Sequence, residues 1–360
     1  MLLVFFASMA AALFLGLVVI LCRSSILQKA HRNRASRIPL GSYLTHVFYP
    51  LGGVRFEIRA WNRTLKAFIS DCEQVEALVE SIESEISTWR KESAVYRINS
   101  APPEREFSLP MHLASVLRKA FELCSLTGGA FNPALGPATE LWRRRVGEGR
   151  RPSKEELAAL LPFTKPGNFH IDFKRSTCTK ASKEAKLDLD GLAVGYIVDQ
   201  VFRLLKARGQ TDIFVRAGYE VRVGSHKLSR KVAIEDPLKP GRAYGYLYLA
   251  EGALSTAGSY VRSFKSGKKR YGRILDPSSL EPLASPLSVS VLAEESATAD
   301  ALATALLVMG PEKGVSFAEI TPGVEVLYLL KEGEDLIQRR SRGFPEVLDI
   351  RRENQPFPLP

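Results

Sequence analysis

Between Asp71 and Ile86, apolar residues fall at Val75, Leu78, Val79, Ile82 and Ile86, separated by polar positions. Steps of three and four put them on one face, so the spacing predicts an amphipathic helix. A second helix is predicted near residues 111–126, ending at Gly128-Gly129, where two glycines break it. A third opens near Gly191, continues through "VDQVFRLLKA" and ends before Gly209. From Asp212 to Leu249 the pattern turns strand-like, as "DIFVRAG", "VRVG", "KVAIED" and "YGYLYLA". "LSVSVLA" and "GVEVLYLL" predict strands either side of a helix, "SATADALATALLVMG". Near the start, "THVFYPLGGVRFEIRAW" reads as a hairpin, two β-rich runs around a Pro and a Gly-Gly. Strands and helices mix without regular βαβ alternation, which predicts an α+β fold.

These elements lie within one domain, residues 42–335. Residues 23–41 read as a basic linker, and residues 336–360, whose last fifteen hold three prolines, as a loose C-terminal tail. The first 22 residues, "MLLVFFASMAAALFLGLVVILC", carry no charge. As a helix they would span about 33 Å, enough for a bilayer core. Without a basic start or a small-residue cleavage site they read as an uncleaved transmembrane anchor. Arg23, Lys29, Arg32, Arg34 and Arg37 follow it, and the positive-inside rule would keep the domain cytoplasmic.

With 360 residues, ordinary apolar and charged fractions and a net charge of +11, the chain is globular and its charge suits an anionic partner. No helix-turn-helix, zinc-finger or RNP-like pattern is present, which disfavours nucleic acid. Cys22, Cys72, Cys124 and Cys178 lie far apart, against a zinc site or a disulfide framework.

The candidate chemistry falls in four stretches. In the 296–310 helix, Asp300 and Thr304 are four residues apart and share a face. They are either a satisfied helix pair or part of a hard-cation site. Mg²⁺ takes about six oxygens, so one carboxylate and one hydroxyl need a phosphate-bearing ligand to complete the shell. In "LDLDGLAVGYIVDQV" a strand with Asp188 runs through a Gly-containing turn into a helix, an arrangement that favours phosphate; Asp188 and Asp190 could equally be caps. In "LSTAGSYVRSFKSGKKRYGRILDP", small residues permit close backbone approach, and Arg273 lies beyond a basic hairpin turn. In "TGGAFNPALGP", Phe131 could stack on a flat ring or plug the core.

In this order, with "STWRKESAVYRIN" before them and "ATADALATALLVMGPEKG" last, these blocks resemble the ApbE family of FAD:protein FMN transferases over roughly residues 42–335. The resemblance implies a single flavin transferase domain behind the anchor. It also implies Mg²⁺-dependent transfer of FMN from FAD to a threonine or serine hydroxyl of a partner flavoprotein, with release of AMP. It places the metal on Asp300, Thr304 and the backbone oxygen of Gly191. FAD contacts fall on Leu51, Trp89, Ala130, Phe131, Asn132, Asp188, Val194 and Leu275, and Arg273 is the candidate catalytic residue. The sequence departs from the family's usual pattern. Val194 stands where Lys or Glu is common, Asn132 where Asp is usual, and Arg273 where a histidine is usual. Arginine cannot serve as a general base. That departure keeps two alternatives open: a FAD-binding protein without transfer, and a Mg²⁺-dependent FAD pyrophosphatase. The family's usual work on membrane respiratory complexes points to the outer face of the inner membrane, opposite to the charge rule.

Overall fold

The computed structural model describes residues 44–61, 63–225, 229–258, 263–266, 269–283, 288–333 and 335–349. The anchor and linker expected at residues 1–41 lie outside them. Among the described residues, no helix is long and apolar enough to cross a membrane.

In chain order, β1 (Leu44–Phe48) and β2 (Phe56–Ala60) precede α1 (Leu65–Ile86), α2 (Ala94–Ser100), β3 (Phe107–Ser108) and α3 (Met111–Leu126). Helices α4 (Gly136–Gly147) and α5 (Lys154–Ala158) follow, then β4 (Phe169–Asp172), β5 (Thr177–Lys180) and α6 (Ala193–Ala207). A strand-rich stretch holds β6 (Asp212–Ala217), β7 (Glu220–Ser225), β8 (Arg230–Glu235), β9 (Ala243–Leu249), β10 (Glu251–Gly258), β11 (Ser263–Ser266), β12 (Lys269–Gly272) and β13 (Ser288–Ala293). The chain continues with α7 (Ser296–Met309), α8 (Pro311–Ile320), β14 (Glu325–Glu332), β15 (Asp335–Arg340) and β16 (Leu348–Asp349).

The expected α+β character holds. One eight-stranded sheet, ordered β1-β2-β6-β7-β10-β13-β14-β15, forms the backbone of the domain, and its neighbouring strands pair antiparallel. Alternation along the strands assigns its two faces. Val326 and Tyr328 of β14 point into the large core shared with the helices, while Leu327 and Leu329 point to the other side. There they meet Val232, Ile234 and Leu247 of the small sheet β16-β9-β8. Both faces are therefore covered, which explains why every residue of β13 is buried.

Local signals set the helix ends. Thr64 caps α1 by accepting the Ala67 N–H at 3.3 Å, and the helix begins six residues ahead of the predicted Asp71 because Phe68 and Cys72 extend its buried stripe. Helix α3 ends before Gly128 and Gly129, both at positive φ, as the glycine pair predicts. One expectation is overturned. Residues 336–349 are no loose tail: β15 extends the main sheet and β16 pairs with β9. Ser341 anchors the stretch between them, its amide donating to the Val326 carbonyl at 3.0 Å and its hydroxyl accepting the Val326 N–H at 2.9 Å.

Candidate functional site

A cleft of about 930 Å³ opens where the β1–β2 turn, the end of α1, the 130–135 loop, the start of α6, the end of β10 and α7 converge. Every residue singled out from the sequence lines it: Leu51, Trp89, Ala130, Phe131, Asn132, Asp188, Gly191, Val194, Arg273, Leu275, Asp300 and Thr304.

The floor is built by two helices in close antiparallel contact. Asp300 is buried on α7, and its Oδ2 accepts the Gly195 N–H of α6 at 3.0 Å. A side chain at Gly195 would not fit, since a Cβ there would lie 2.4 Å from the Ser296 carbonyl oxygen and 2.8 Å from Asp300 Cβ. One turn earlier, a Cβ at Gly191 would lie 3.0 Å from Thr304 Oγ1 and 3.3 Å from the Phe131 ring. Glycine thus lets the backbone at 191 approach the Thr304 hydroxyl. Ala301, Leu302, Ala305 and Leu306 are fully buried and hold α7 so that Asp300 and Thr304 face the cleft. The oxygens that the resemblance assigns to a metal, a carboxylate, a hydroxyl and a backbone carbonyl, are all hard oxygens of the kind magnesium takes. Among the described residues, no cluster of three or more His, Cys, Asp or Glu side chains could hold a metal by itself. Any magnesium here needs further oxygens from a ligand.

The wall beside it is fixed by Asp188. Its Oδ2 accepts the Thr139 hydroxyl at 2.7 Å, its Oδ1 accepts the Asp190 N–H at 3.1 Å, and its own N–H donates to the Pro133 carbonyl. Asn132 is engaged at both ends of its amide, donating to the Thr164 carbonyl and accepting the Ala134 N–H, each at 2.9 Å. Phe131 is only 3% exposed; of its two readings, burial favours the plug, pressed against Gly191. Val194 supplies an apolar wall on the first turn of α6. Leu275 is buried in the small cluster with Trp142 and Leu280.

The β1–β2 turn runs through three successive positive φ values, at Leu51, Gly52 and Gly53. Leu51 is the unusual one, because a side chain disfavours that conformation. The Leu51 N–H donates to Glu83 Oε2 at 3.4 Å, and paired glycines complete the turn.

Arg273 reaches the cleft from beyond β12 and donates to Asp190 Oδ2 at 2.6 Å. Its guanidinium lies 5.5 Å from the centre of the Trp89 ring, and that of Arg143 lies 3.8 Å away. Burial, and then repulsion from Arg273, holds Arg143 below the usual arginine range. Sequence reasoning missed Thr139, Arg143 and Gly195. Thr139 and Arg143 follow Leu135 at steps of four on α4, a spacing visible in the sequence, and Leu135 and Thr139 both line the cleft. Gly195 repeats the small residue at Gly191 four positions on.

The chain is similar to known proteins over most of its length. The model of the ApbE family matches residues 53–328. A FAD:protein FMN transferase of Vibrio cholerae is 31% identical over 286 residues, covering 76% of this chain and 84% of that protein. Its counterpart in Haemophilus influenzae is 27% identical over 292 residues, covering 78% and 84%. Among solved structures, the ApbE protein of Thermotoga maritima superposes with a TM-score of 0.75 at 29% identity, covering 84% of this chain and 97% of that one. The apo flavinyl transferase ApbE of Pseudomonas stutzeri gives 0.73 at 27% identity, covering 87% and 98%.

Proposed function

The chain belongs to the ApbE family, and from that membership and the cleft we propose that it transfers FMN from FAD to a threonine or serine hydroxyl of a partner flavoprotein, releasing AMP. The observation that carries this reading is the meeting of Gly191, Asp300 and Thr304 at one end of a cleft whose walls hold Asp188, Trp89 and Arg273. The acceptor oxygen attacks the phosphorus on the FMN side of the diphosphate, the bond to AMP breaks, and the hydroxyl proton leaves. Asp300, Thr304 and the Gly191 carbonyl would hold Mg²⁺, and their hard oxygen chemistry fits it. Bound there, the metal supplies positive charge to the diphosphate.

The chain's own residues do the rest by position and charge. Asp300 is aimed by the Gly195 N–H and Asp188 by Thr139. Leu51, Ala130, Asn132, Val194 and Leu275 shape the space for FAD, and Trp89 offers an exposed ring at its mouth. Arg273 contributes fixed positive charge and holds Asp190; it does not take the proton. This substitution favours a second reading, a FAD-binding protein without transfer. Incubating the purified protein with FAD, Mg²⁺ and a threonine-bearing acceptor distinguishes the two. A covalently fluorescent acceptor supports transfer. Bound FAD with an unlabelled acceptor supports the binder, and release of FMN and AMP without an acceptor marks a pyrophosphatase.

The uncharged run at residues 1–22 supports a single-pass membrane anchor. The family's work on respiratory flavoproteins supports placing the domain on the outer face of the inner membrane, with a membrane-complex subunit as acceptor, against the charge bias of residues 23–37. A reporter fused to the C-terminus decides the side: activity only in the cytoplasm would refute the outer placement.

A further inference from the structure

Helices α6 and α7 run antiparallel with a regular register. Position 191, just ahead of α6, faces Thr304; Gly195 faces Asp300; and Asp199, one turn further on, faces Ser296. The first two rungs belong to the metal site described above. The third lies at the far end, and its chemistry is unlike an ordinary helix contact.

Asp199 is 1% exposed. Its Oδ1 accepts the Ser296 N–H at 2.8 Å and its Oδ2 the Ala297 N–H at 2.9 Å. These are the first two amides of α7, which have no carbonyl partner inside the helix. The residue that precedes the helix, Glu295, gives it no side-chain cap and is turned to Lys119 and Arg203 instead. The cap therefore comes from α6, 97 residues earlier in the chain. Arg222 of β7 pairs with the same carboxylate and rests over the Phe202 ring, 4.4 Å from its centre. A buried carboxylate is costly unless it is paired and hydrogen-bonded; this one is both, so its position is fixed from two sides.

We propose that Asp199, held by Arg222, is the positioning residue of the metal site: by capping α7 across the helix pair, it sets the register that brings Asp300 and Thr304 against Gly191. A carboxylate that bonds two consecutive amides at a helix start fixes both the axial and the rotational setting of that helix. Asp300 follows Ser296 by four residues, one turn along the same face, so displacement at the cap is passed to the ligand. Asp199 does not line the cleft and acts through the helix alone. The proposal rests on the metal site of the proposed function.

The test measures metal binding separately from turnover. Mn²⁺ is titrated into the full chain in the presence of FAD, and the free ion is followed by its paramagnetic resonance. Asp199→Asn keeps the shape but faces one helix amide with a donor. We expect it to weaken Mn²⁺ binding by roughly 10- to 100-fold, the range for a residue that orients a ligand without touching the metal, with FAD affinity in the absence of metal unchanged. Asp71→Asn is the control. Asp71 is equally buried and bound to Arg63, Arg208 and Gln210, away from α7, so this change should lower stability and leave Mn²⁺ affinity as it was. Wild-type Mn²⁺ affinity in folded Asp199→Asn, or equal weakening by Asp71→Asn, overturns the proposal. If Asp199→Asn does not fold, Arg222→Gln carries the same test, with weaker Mn²⁺ binding expected and unchanged binding overturning it. A wild-type chain that binds no Mn²⁺ refutes the metal site itself, a separate failure.

Discussion

Arg273 stands where the resemblance to the ApbE family implies a histidine. A histidine there would titrate near neutral pH, whereas arginine keeps its charge. No histidine lines the cleft among the described residues. The rate of acceptor labelling should therefore show no inflection near pH 6.5, the ordinary imidazole range, and Arg273→His should introduce one. Rate profiles across that range check this, and an unaltered profile in Arg273→His would contradict the assigned role. The cysteines give a plainer expectation. Burial pushes the Cys72 thiol up to about 12 and that of Cys178 to about 11, and it raises Cys124 as well. The thiolate is the reactive form, so these three should resist a thiol reagent near pH 8 in the native protein and react after unfolding. Labelling of any of them in the folded state would show that the core opens.

At the scale of elements, the close packing of α6 on α7 is the structural condition for the site. Gly195 makes it possible, because a Cβ there would collide with the Ser296 carbonyl. Gly195→Ala should cost about 1–3 kcal/mol of stability, the usual penalty of overpacking, and also weaken metal-dependent labelling by moving Asp300. Denaturant unfolding and the labelling assay, run together, check both; a stable, fully active variant would show that the helices can part without harm. The elements also differ in how visible they were beforehand. Helices α1 and α3 and the strands from β6 to β9 carry clear periods. Helix α4 does not, because its "LWRRRVG" half places three arginines in succession and blurs the apolar stripe. Strand β15, "DLIQRR", is hidden by its place at the edge of the sheet, where four of its six residues are exposed.

For the molecule as a whole, the site is assembled from segments far apart in the chain. What was legible were the parts whose spacing is local: Asp300 and Thr304 on one helix face, Gly191 in its turn, the Gly-Gly of the first hairpin. What was not legible were the pairings between segments. The Asp199 cap reaches residues 296 and 297, and Arg273 finds Asp190; no period along the sequence encodes either contact. Bringing these segments together is the work of the eight-stranded sheet, on which α6 and α7 pack. If this arrangement performs metal-dependent transfer of FMN, covalent flavin fluorescence on a threonine-bearing acceptor, with FAD and Mg²⁺, separates the wild-type chain from Asp300→Ala. The wild-type chain should label the acceptor only when Mg²⁺ is present, and Asp300→Ala should leave it unlabelled. Equal labelling by both proteins would show that Asp300 holds no metal needed for transfer.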